Sequence, residues 1–488
     1  MQTQNPHQAN RWKILAILAI AQLMVVLDAT IVNIALPSAQ KALHFSNDNR
    51  QWIVTAYALA FGSLLLLGGR ISDLFGRKWT FVIGLGGFSI ASAVGGAAQS
   101  FAMLAGARAF QGAFGALLAP AAMSLLTTTF TIPAERNKAF GVYGAIAGSG
   151  ASVGLMLGGL LTQTLNWRFS MYVNLVFAAI AIVGALAMLH NQAPAAKPKI
   201  DIPGVLTVSG GLFAIVFGFS HAQTTSWGNH LTIGMLGTGV LLLIVFVWLE
   251  SRVRNPLLPL KVVTDRTRSA SFLSIGISGA ALFGVFLFLT YYLQQSRGYS
   301  PVTTGLAFLP MTLSVMLTAV IVNTRLSGRF SPRLLVTGGM ILGAGGMLGL
   351  TQLDLTSSYA GSILPWLVAM GVGMGLVFGT AMNNATLGVE AADAGVASAM
   401  VSASQQIGGS LGTALLSTLA ASAATSFVTT NAVGRPTTAV LAHAAMHGYT
   451  TAFAVAAGIF AAGAVIAGLL YERGVKRVEP AGAPVLAH

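Results

Sequence analysis

Residues 13–36 read KILAILAIAQLMVVLDATIVNIAL, and only Lys13 and Asp28 in this stretch are charged. About 20 consecutive apolar residues are enough for a helix to cross the hydrocarbon core of a bilayer. The stretch is longer than the apolar region of a secretory signal peptide, and it lacks a small-residue cleavage site. We therefore predict that it is a retained membrane-spanning helix.

Stretches of the same kind recur along the 488 residues, of which 55% are hydrophobic and 8% are charged. In soluble proteins roughly a quarter of the residues are charged. With so few charges, most of the surface of this protein must face lipid, where a helix satisfies the hydrogen-bonding groups of its own backbone. The sequence predicts an all-α polytopic membrane protein with fourteen transmembrane helices, at residues 13–36, 51–69, 79–98, 102–127, 139–163, 169–190, 203–221, 231–250, 270–293, 302–322, 333–352, 362–382, 395–423 and 449–471. The connections are short and leave no room for a catalytic domain, so we predict that the chain is not an enzyme.

Basic residues are distributed unevenly between the two sets of loops. With the N-terminus inside, 20 of the 26 lysines and arginines fall in cytoplasmic segments, 5 fall in outer segments, and Arg108 lies within a span. This is the bias of cytoplasmic loops in membrane proteins. The net charge of +14 is therefore an orientation signal and not a sign of a nucleic-acid partner, and the even number of predicted spans places both termini in the cytoplasm. We predict a multi-pass protein of the bacterial inner membrane. With no cysteine and no ligand spacing among the eight histidines, we predict neither a metal site nor a cofactor.

The predicted spans divide into groups of six, two and six. The segment NQAPAAKPKIDIPG at 191–204 is rich in Pro, Ala and Lys and indicates a linker. GGRISDLFGRKW at 68–79 and RLSGRFSPRL at 325–334 place similar Arg-rich turns in the two groups of six, and repeated halves are typical of alternating-access transporters. We predict an N-terminal six-helix bundle at 1–190, a linker with two extra transmembrane helices at 191–269, a C-terminal six-helix bundle at 270–471 and a cytoplasmic tail at 472–488.

Two charged residues, Asp28 and Arg108, lie well inside the predicted spans. An ionisable group within a membrane costs at least about 2.5 kcal/mol, so such a residue indicates a functional site. With a rise of 1.5 Å per residue, Asp28 lies about 8 Å and Arg108 about 9 Å from the outer face. The matching depths predict that the two can pair. Burial favours the neutral acid whereas the guanidinium favours the carboxylate, which suits a proton carrier. A static ion pair that fixes helix register is the alternative.

Asp28 lies in the sequence LDATIVNIALP at 27–37, and three other motifs follow it in order. They are GGRISDLFGRK at 68–78, ARAFQGAFGA at 107–116 and GASVGLMLGG at 150–159. Together these motifs resemble those of the major facilitator superfamily, specifically its fourteen-span drug:proton antiporter branch of the EmrB/QacA type. The resemblance covers nearly the whole chain and implies that Asp28, with Arg108, couples export to protons. The fifth-span motif departs from the family pattern, because Leu155 stands where Pro is usual.

The resemblance also assigns a gate and a helix-packing hinge. Asp73, Gly76, Arg77 and Lys78 match the loop motif between spans two and three, where Asp73 would hold an inner gate closed. Stop-transfer charges are the alternative for Arg77 and Lys78 but do not account for Asp73. The glycines of the fifth-span motif leave a smooth face on which a neighbouring helix can slide or bend. The predicted hinge residues are Gly150, Gly154, Gly158 and Gly159.

Other polar residues in or near spans are candidates for the lining of a substrate cavity. Buried polar groups in membrane proteins also hydrogen-bond neighbouring helices, so a packing role is the alternative for each. The candidates are Asn33, Tyr57, Gln111, Tyr291, Tyr292, Gln294, Asn383, Asn384, Gln405 and Gln406.

The predicted function is efflux of small lipophilic compounds, cations above all, in exchange for protons by alternating access. The proton motive force would drive it without a cofactor. The expected partners are these substrates, protons and the lipid bilayer, and a periplasmic adaptor protein is left open. One alternative is a proton-coupled exporter dedicated to one endogenous metabolite, or an importer. The other is a non-transporting membrane sensor or a subunit of a larger assembly.

Overall fold

The computed structural model describes residues 6–45, 47–190, 201–253, 256–390, 393–431, 436–472 and 474. The start of the predicted linker (191–200) and nearly all of the predicted tail lie outside the described residues. The first eight helices are α1 (Pro6–Leu43), α2 (Asn47–Phe75), α3 (Arg77–Gly96), α4 (Phe101–Thr129), α5 (Pro133–Thr164), α6 (Phe169–Met188), α7 (Ile202–Thr224) and α8 (His230–Glu250). They are followed by α9 (Leu260–Thr264), α10 (Arg266–Tyr291), α11 (Pro301–Ile321), α12 (Pro332–Leu350), α13 (Leu364–Thr386), α14 (Ala394–Asn431) and α15 (Thr438–Leu470). Short π-helical turns extend α10 and α11 and precede α13.

Among the described residues, thirteen helices are long and apolar enough to cross a membrane. The all-helical prediction is therefore confirmed. The predicted span 139–163 lies in α5 (Pro133–Thr164), of which, among the described residues, Val153–Thr164 forms a shorter apolar helix. The fourteenth span, and the position of the termini, stay predictions.

Several helices are longer than the predicted spans. The last span was predicted at 449–471, whereas α15 begins at Thr438 because Thr437 caps it, its side chain accepting a hydrogen bond from Val440 N at 3.3 Å. Similarly, α1 covers residues 6–43 instead of 13–36. Hydropathy marks the part of a helix that meets lipid, whereas the helix itself continues until its backbone groups are capped.

Close helix packing in both halves depends on small residues. In the N-terminal half (α1–α6), a Cβ placed on Gly84 of α3 would lie 3.1 Å from the backbone of Leu118 in α4. In the C-terminal half (α10–α15), a Cβ on Gly339 of α12 would lie 2.6 Å from the carbonyl oxygen of Gly373 in α13. Missing side chains let helix backbones approach in this way when no hydrophobic effect drives association.

The two halves meet along two seams. The first joins α2 to α14 and the second joins α5 to α11 and α13. The hairpin of α7 and α8 packs on the first seam, since α7 contacts both α2 and α14. The domain boundaries stay a prediction, but this packing places the two extra helices beside the seam and outside both halves.

One end of the bundle collects the basic loops, and we call it the basic end. Arg11 at the start of α1 forms a 2.7 Å ion pair with Glu135 at the start of α5. Lys78 Nζ at the start of α3 donates to the carbonyl oxygen of Leu186 near the end of α6 at 3.1 Å. The start of α1, the α2–α3 and α4–α5 junctions and the end of α6 are thus at the same end.

Candidate functional site

Asp28 and Arg108 form an ion pair in the interior of the N-terminal half. Arg108 Nη1 donates to Asp28 Oδ2 at 2.5 Å, and the two side chains are 1% and 0% exposed. The prediction from matching depths that the two residues pair is confirmed. Their role in proton coupling stays a prediction.

Three neutral polar side chains complete the network around Asp28. Asp28 Oδ1 accepts from Gln111 Nε2 at 3.0 Å and from Asn174 Nδ2 at 2.7 Å. Ser92 Oγ accepts from the same two amides, at 2.5 Å and 3.1 Å. All three residues are fully buried. They therefore join α3, α4 and α6 to the aspartate of α1.

Sequence analysis did not predict Asn174 and Ser92 as site residues. The depth of Asn174 in the membrane could have indicated it. Asn174 lies five residues into α6, which is about 8 Å below its outer end at 1.5 Å per residue. This is the depth predicted for Asp28 and Arg108. A depth comparison extended to neutral polar residues would have identified it.

The Arg108 side chain contacts several groups besides Asp28. Nη1 also donates to Gln111 Oε1 at 2.8 Å, Nε donates to the carbonyl oxygen of Ile53 at 3.4 Å, and the guanidinium lies 4.4 Å from the ring centroid of Tyr57. A cation over an aromatic face is stabilised by the ring quadrupole. Arg108 is therefore held by carbonyl oxygens and a ring as well as by Asp28, so its charge keeps neutral partners if Asp28 becomes protonated.

The glycines of the fifth-span motif lie against the segment of α1 that carries Asp28. A Cβ on Gly150 would lie 2.7 Å from Val26, one on Gly154 would lie 3.0 Å from the carbonyl oxygen of Leu27, and one on Gly158 would lie 2.7 Å from Ile31. Gly159 is buried beside them, and Leu155 continues α5 without a break. The structure thus places the predicted hinge glycines in contact with the neighbours of Asp28. Their hinge role stays a prediction.

Asp73 connects the two halves at the basic end. Its Oδ1 accepts from the backbone N–H of Gly395 in α14 at 3.2 Å and lies 3.6 Å from Arg77 Nη2. Gly76 forms the one-residue junction between α2 and α3 with φ of 95°, a conformation that favours glycine. Lys78 instead contacts α6 within its own half. Asp73 therefore joins α2 to α14, and the gate role of the four residues stays a prediction.

A second contact between the halves surrounds Arg136 at the start of α5. Its guanidinium donates to Asn383 Oδ1 at 3.3 Å and to Thr386 Oγ1 at 2.9 Å, both at the end of α13. Asn383 in turn donates to Asn137 Oδ1 at 2.6 Å. Burial lowers the pKa of Arg136 to about 10, because the charged form loses hydration. From sequence, Arg136 was interpreted only as one of the basic residues that orient the bundle.

The structure separates the predicted cavity residues into several groups. Tyr57 and Gln111 belong to the Asp28 network, and Asn383 belongs to the contact with Arg136. Asn384 donates to Thr380 in its own helix. The side chain of Asn33 lies outside what the structure describes.

The remaining candidates lie on α10 and α14. Tyr292 donates to the carbonyl oxygen of Asp354 at 2.8 Å, at the opposite end from the basic end, where Tyr291 is exposed and Gln294 is partly buried. Gln405 and Gln406 lie in α14 and are partly buried, and Gln406 Cγ lies 3.6 Å from the Cβ position of Gly62 in α2. The ten residues therefore do not converge on one described site, and their role in substrate binding stays a prediction.

Two helical halves that meet along seams, with a buried ion pair in one half and polar contacts between the halves at one end, define a membrane transporter. The chain belongs to the Major Facilitator Superfamily, whose family model matches residues 18–413. It is 45% identical over 481 residues to the puromycin resistance protein pur8 of Streptomyces alboniger, covering 98% of this chain and 95% of that protein. It is 35% identical over 412 residues to the tetracenomycin C resistance and export protein of Streptomyces glaucescens, covering 84% of this chain and 76% of that protein.

Solved structures show the same fold. The human organic anion transporter MFSD10 superposes with a TM-score of 0.62 at 14% identity, covering 95% of this chain and 100% of that one. A bacterial homologue of the human lysosomal transporter Spinster superposes with a TM-score of 0.59 at 15% identity, covering 96% of this chain and 97% of that one. The likeness confirms the predicted superfamily fold.

Proposed function

We propose that this transporter exports small lipophilic, antibiotic-like compounds across a bacterial inner membrane in exchange for protons, as a fourteen-span antiporter with its basic end in the cytoplasm. The observation that carries the proposal is the buried ion pair of Asp28 and Arg108. Besides Arg108, this carboxylate accepts hydrogen bonds from two neutral donors, Gln111 and Asn174. Such a site can exchange a proton without losing its shape.

The network supports a specific proton step. Asn174 Oδ1 is buried and has no hydrogen-bond partner. When Asp28 takes up a proton from the outer side, its O–H needs an acceptor, and Asn174 Oδ1 lies on a side chain that already contacts Asp28. Arg108 keeps Gln111 Oε1 and the carbonyl oxygen of Ile53 as partners. Protonation therefore changes the attraction between α1 and α4 without leaving a new buried group unpaired.

The contacts at the basic end support an alternating-access cycle. Asp73 with Gly395 and Arg136 with Asn383 both join the halves, so opening this end requires that both contacts break. One elementary charge that moves through 100 mV supplies about 2.3 kcal/mol. At 1.36 kcal/mol for each factor of ten, this supports about a 50-fold substrate gradient.

The names of the relatives support the substrate class. Besides the two proteins above, the chain is 32% identical over 415 residues to the multidrug resistance protein Stp of Mycobacterium tuberculosis, which covers 84% of this chain and 76% of that protein. Two of these three names give a single compound, and this favours a second candidate function, export of one endogenous metabolite. No periplasmic adaptor enters this mechanism, because neither the fold nor these names support one.

Proteoliposomes that contain the full chain test the proton step. Addition of puromycin or of the lipophilic cation ethidium should release protons from the unsubstituted transporter. Asp28→Asn should abolish uphill transport while binding and folding remain, because Asn is nearly isosteric but cannot carry the proton. Asp354→Asn, on an exposed loop, is the matched control and should transport normally.

If the Asp28→Asn variant pumps at the normal rate, the proton-carrier assignment is wrong. A susceptibility panel with and without expression then distinguishes the two candidate functions. Protection against several unrelated compounds supports multidrug efflux, whereas protection against one compound supports the dedicated exporter.

A further inference from the structure

Two buried carboxylates at the basic end of the α7–α8 hairpin have no part in the mechanism above. Asp201 caps the start of α7 and is 7% exposed, and Glu250 ends α8 and is 4% exposed. Asp201 Oδ1 accepts from Gly204 N at 3.1 Å, and Glu250 Oε2 accepts from Leu258 N at 3.0 Å. Each carboxylate therefore has one oxygen that is bonded to backbone.

The other two oxygens face the same point. Asp201 Oδ2 and Glu250 Oε1 are both buried without a hydrogen-bond partner. A Cβ placed on Gly204 would lie 2.6 Å from Glu250 Oε1 and would also collide with Asp201 Oδ2. Both oxygens contact this one Cβ position, so the two side chains lie next to each other. Glycine at 204 therefore leaves room for two unpaired acceptors to meet.

The described cations of the surrounding elements are engaged elsewhere. The Arg252 guanidinium lies 4.8 Å from the ring centroid of Trp248, and Lys261 pairs with Glu390 at 2.9 Å and with Asp393 at 3.0 Å. Among the described ion pairs, none involves Asp201 or Glu250.

Two further helices, α2 and α14, pack against α7. At its basic end α2 presents Arg70 and Asp73, and Asp73 pairs with Arg77 at the start of α3. The start of α14 is flanked by Asp393, which pairs with Lys261. Among the described residues, none of these groups forms an ion pair with the two carboxylates, and Lys197, Lys199 and Arg254 lie outside the part of the chain that the structure describes.

We propose that Asp201 and Glu250 form a second proton-binding site, in which one proton is shared between the two carboxylates at neutral pH. Two adjacent carboxylates in a buried place cannot both ionise at low cost, and a shared proton resolves the repulsion. The acid O–H of one residue donates to the carboxylate of the other, so that both unpaired oxygens gain a partner. The inference is independent of the antiport proposed above, since it concerns different residues and a different pair of helices.

Through this site, the packing at the seam between the halves depends on the pH at the basic end. Removal of the shared proton puts two negative charges together, which pushes the start of α7 away from the end of α8 and its attached linker. Because α7 packs on both α2 and α14, this displacement acts beside the Asp73–Gly395 contact. The shared proton thus keeps the start of α7 close to the end of α8.

Infrared spectroscopy of the purified full chain tests the shared proton. The Asp28→Asn background removes the carboxyl of the first site. At neutral pH this background should show a carboxylic-acid C=O band that disappears with Glu250→Gln and, separately, with Asp201→Asn. Asp354→Asn in the same background should leave the band unchanged. The band should also disappear reversibly at alkaline pH without any substitution at the pair. A spectrum unaffected by both substitutions and by alkaline pH would overturn the proposal.

Thermal unfolding gives a second readout. The folded pair holds a proton that the unfolded carboxylates release near pH 4, so the stability that it contributes is lost as pH rises above that range. The Gln amide of Glu250→Gln can donate to Asp201 Oδ2 at every pH, so this variant should lose less stability on alkalinisation than the unsubstituted chain. If Mg²⁺ or Ca²⁺ raises the unfolding temperature of the unsubstituted chain alone and the acid band is missing, the pair is a cation site and the shared proton is excluded.

Discussion

At the scale of single residues, the Asp28 carboxylate is stabilised by Arg108, Gln111 and Asn174 at distances between 2.5 and 3.0 Å. Sequence identified Asp28, Arg108 and Gln111, because a charge in an apolar run and a motif are visible without coordinates. It did not identify Ser92 or Asn174. Neutral polar residues are common in membrane helices, and sequence gives their depth but not the direction in which they point around the helix.

Asn174 is one of the donors to the Asp28 carboxylate, so its replacement tests the proposed proton step. Asn174→Leu removes one donor to the carboxylate, which favours the protonated form. A hydrogen bond to a charged group contributes about 1.5–3 kcal/mol, so under the proposed proton step we expect the pH profile of efflux to move toward higher pH. Thr127→Val, which removes a buried bond within α4, is the control and should leave the profile in place. The measurement is a pH profile of substrate-driven proton release; a downward shift or no shift would show that Asn174 does not act on Asp28.

At the scale of elements, the crossing of α2 and α14 depends on two glycines. A Cβ on Gly395 would lie 2.6 Å from Asp73 Oδ2 and 2.6 Å from the carbonyl oxygen of Gly69. The loop motif made Asp73 predictable from sequence. Its partner was not predictable, because a backbone N–H carries no sequence signature and lies 322 residues away along the chain.

Gly395→Ala should therefore open the basic end. The added methyl group separates Asp73 from the Gly395 N–H, and loss of a charge-assisted hydrogen bond shifts a two-state equilibrium by roughly tenfold or more. Because the chain has no cysteine, spin labels at Phe75→Cys in α2 and Arg325→Cys after α11 report the distance between the halves. We expect a larger fraction of long distances. Gly458→Ala, where a Cβ meets nothing within 4 Å, is the matched control, and an equal response in both variants would contradict the role of this crossing.

At the scale of the whole molecule, hydropathy predicted the helices and their order because lipid imposes an apolar run on every span. It could not predict how the halves meet. Arg136 and Asn383 are 247 residues apart, and each was interpreted separately, one as an orienting charge and the other as a cavity residue. Their contact forms only when the two halves assemble, because it joins a side chain of α5 to a side chain of α13.

A cross-link between the halves tests whether separation at the basic end is required for transport. Asn137 and Asn383 face each other across the α5–α13 seam with 2.6 Å between Nδ2 and Oδ1. In the cysteine-free chain, the pair Asn137→Cys and Asn383→Cys should form a disulfide on oxidation. If the halves must separate here to admit substrate, efflux should fall to background and return on reduction.

The control pair, Thr162→Cys and Ser170→Cys, joins α5 to α6 within one half, where the hydroxyl oxygens lie 3.4 Å apart. Oxidation should leave its transport unchanged. Full efflux by a quantitatively cross-linked Asn137–Asn383 pair would exclude alternating access through this end, because covalently joined helices cannot part.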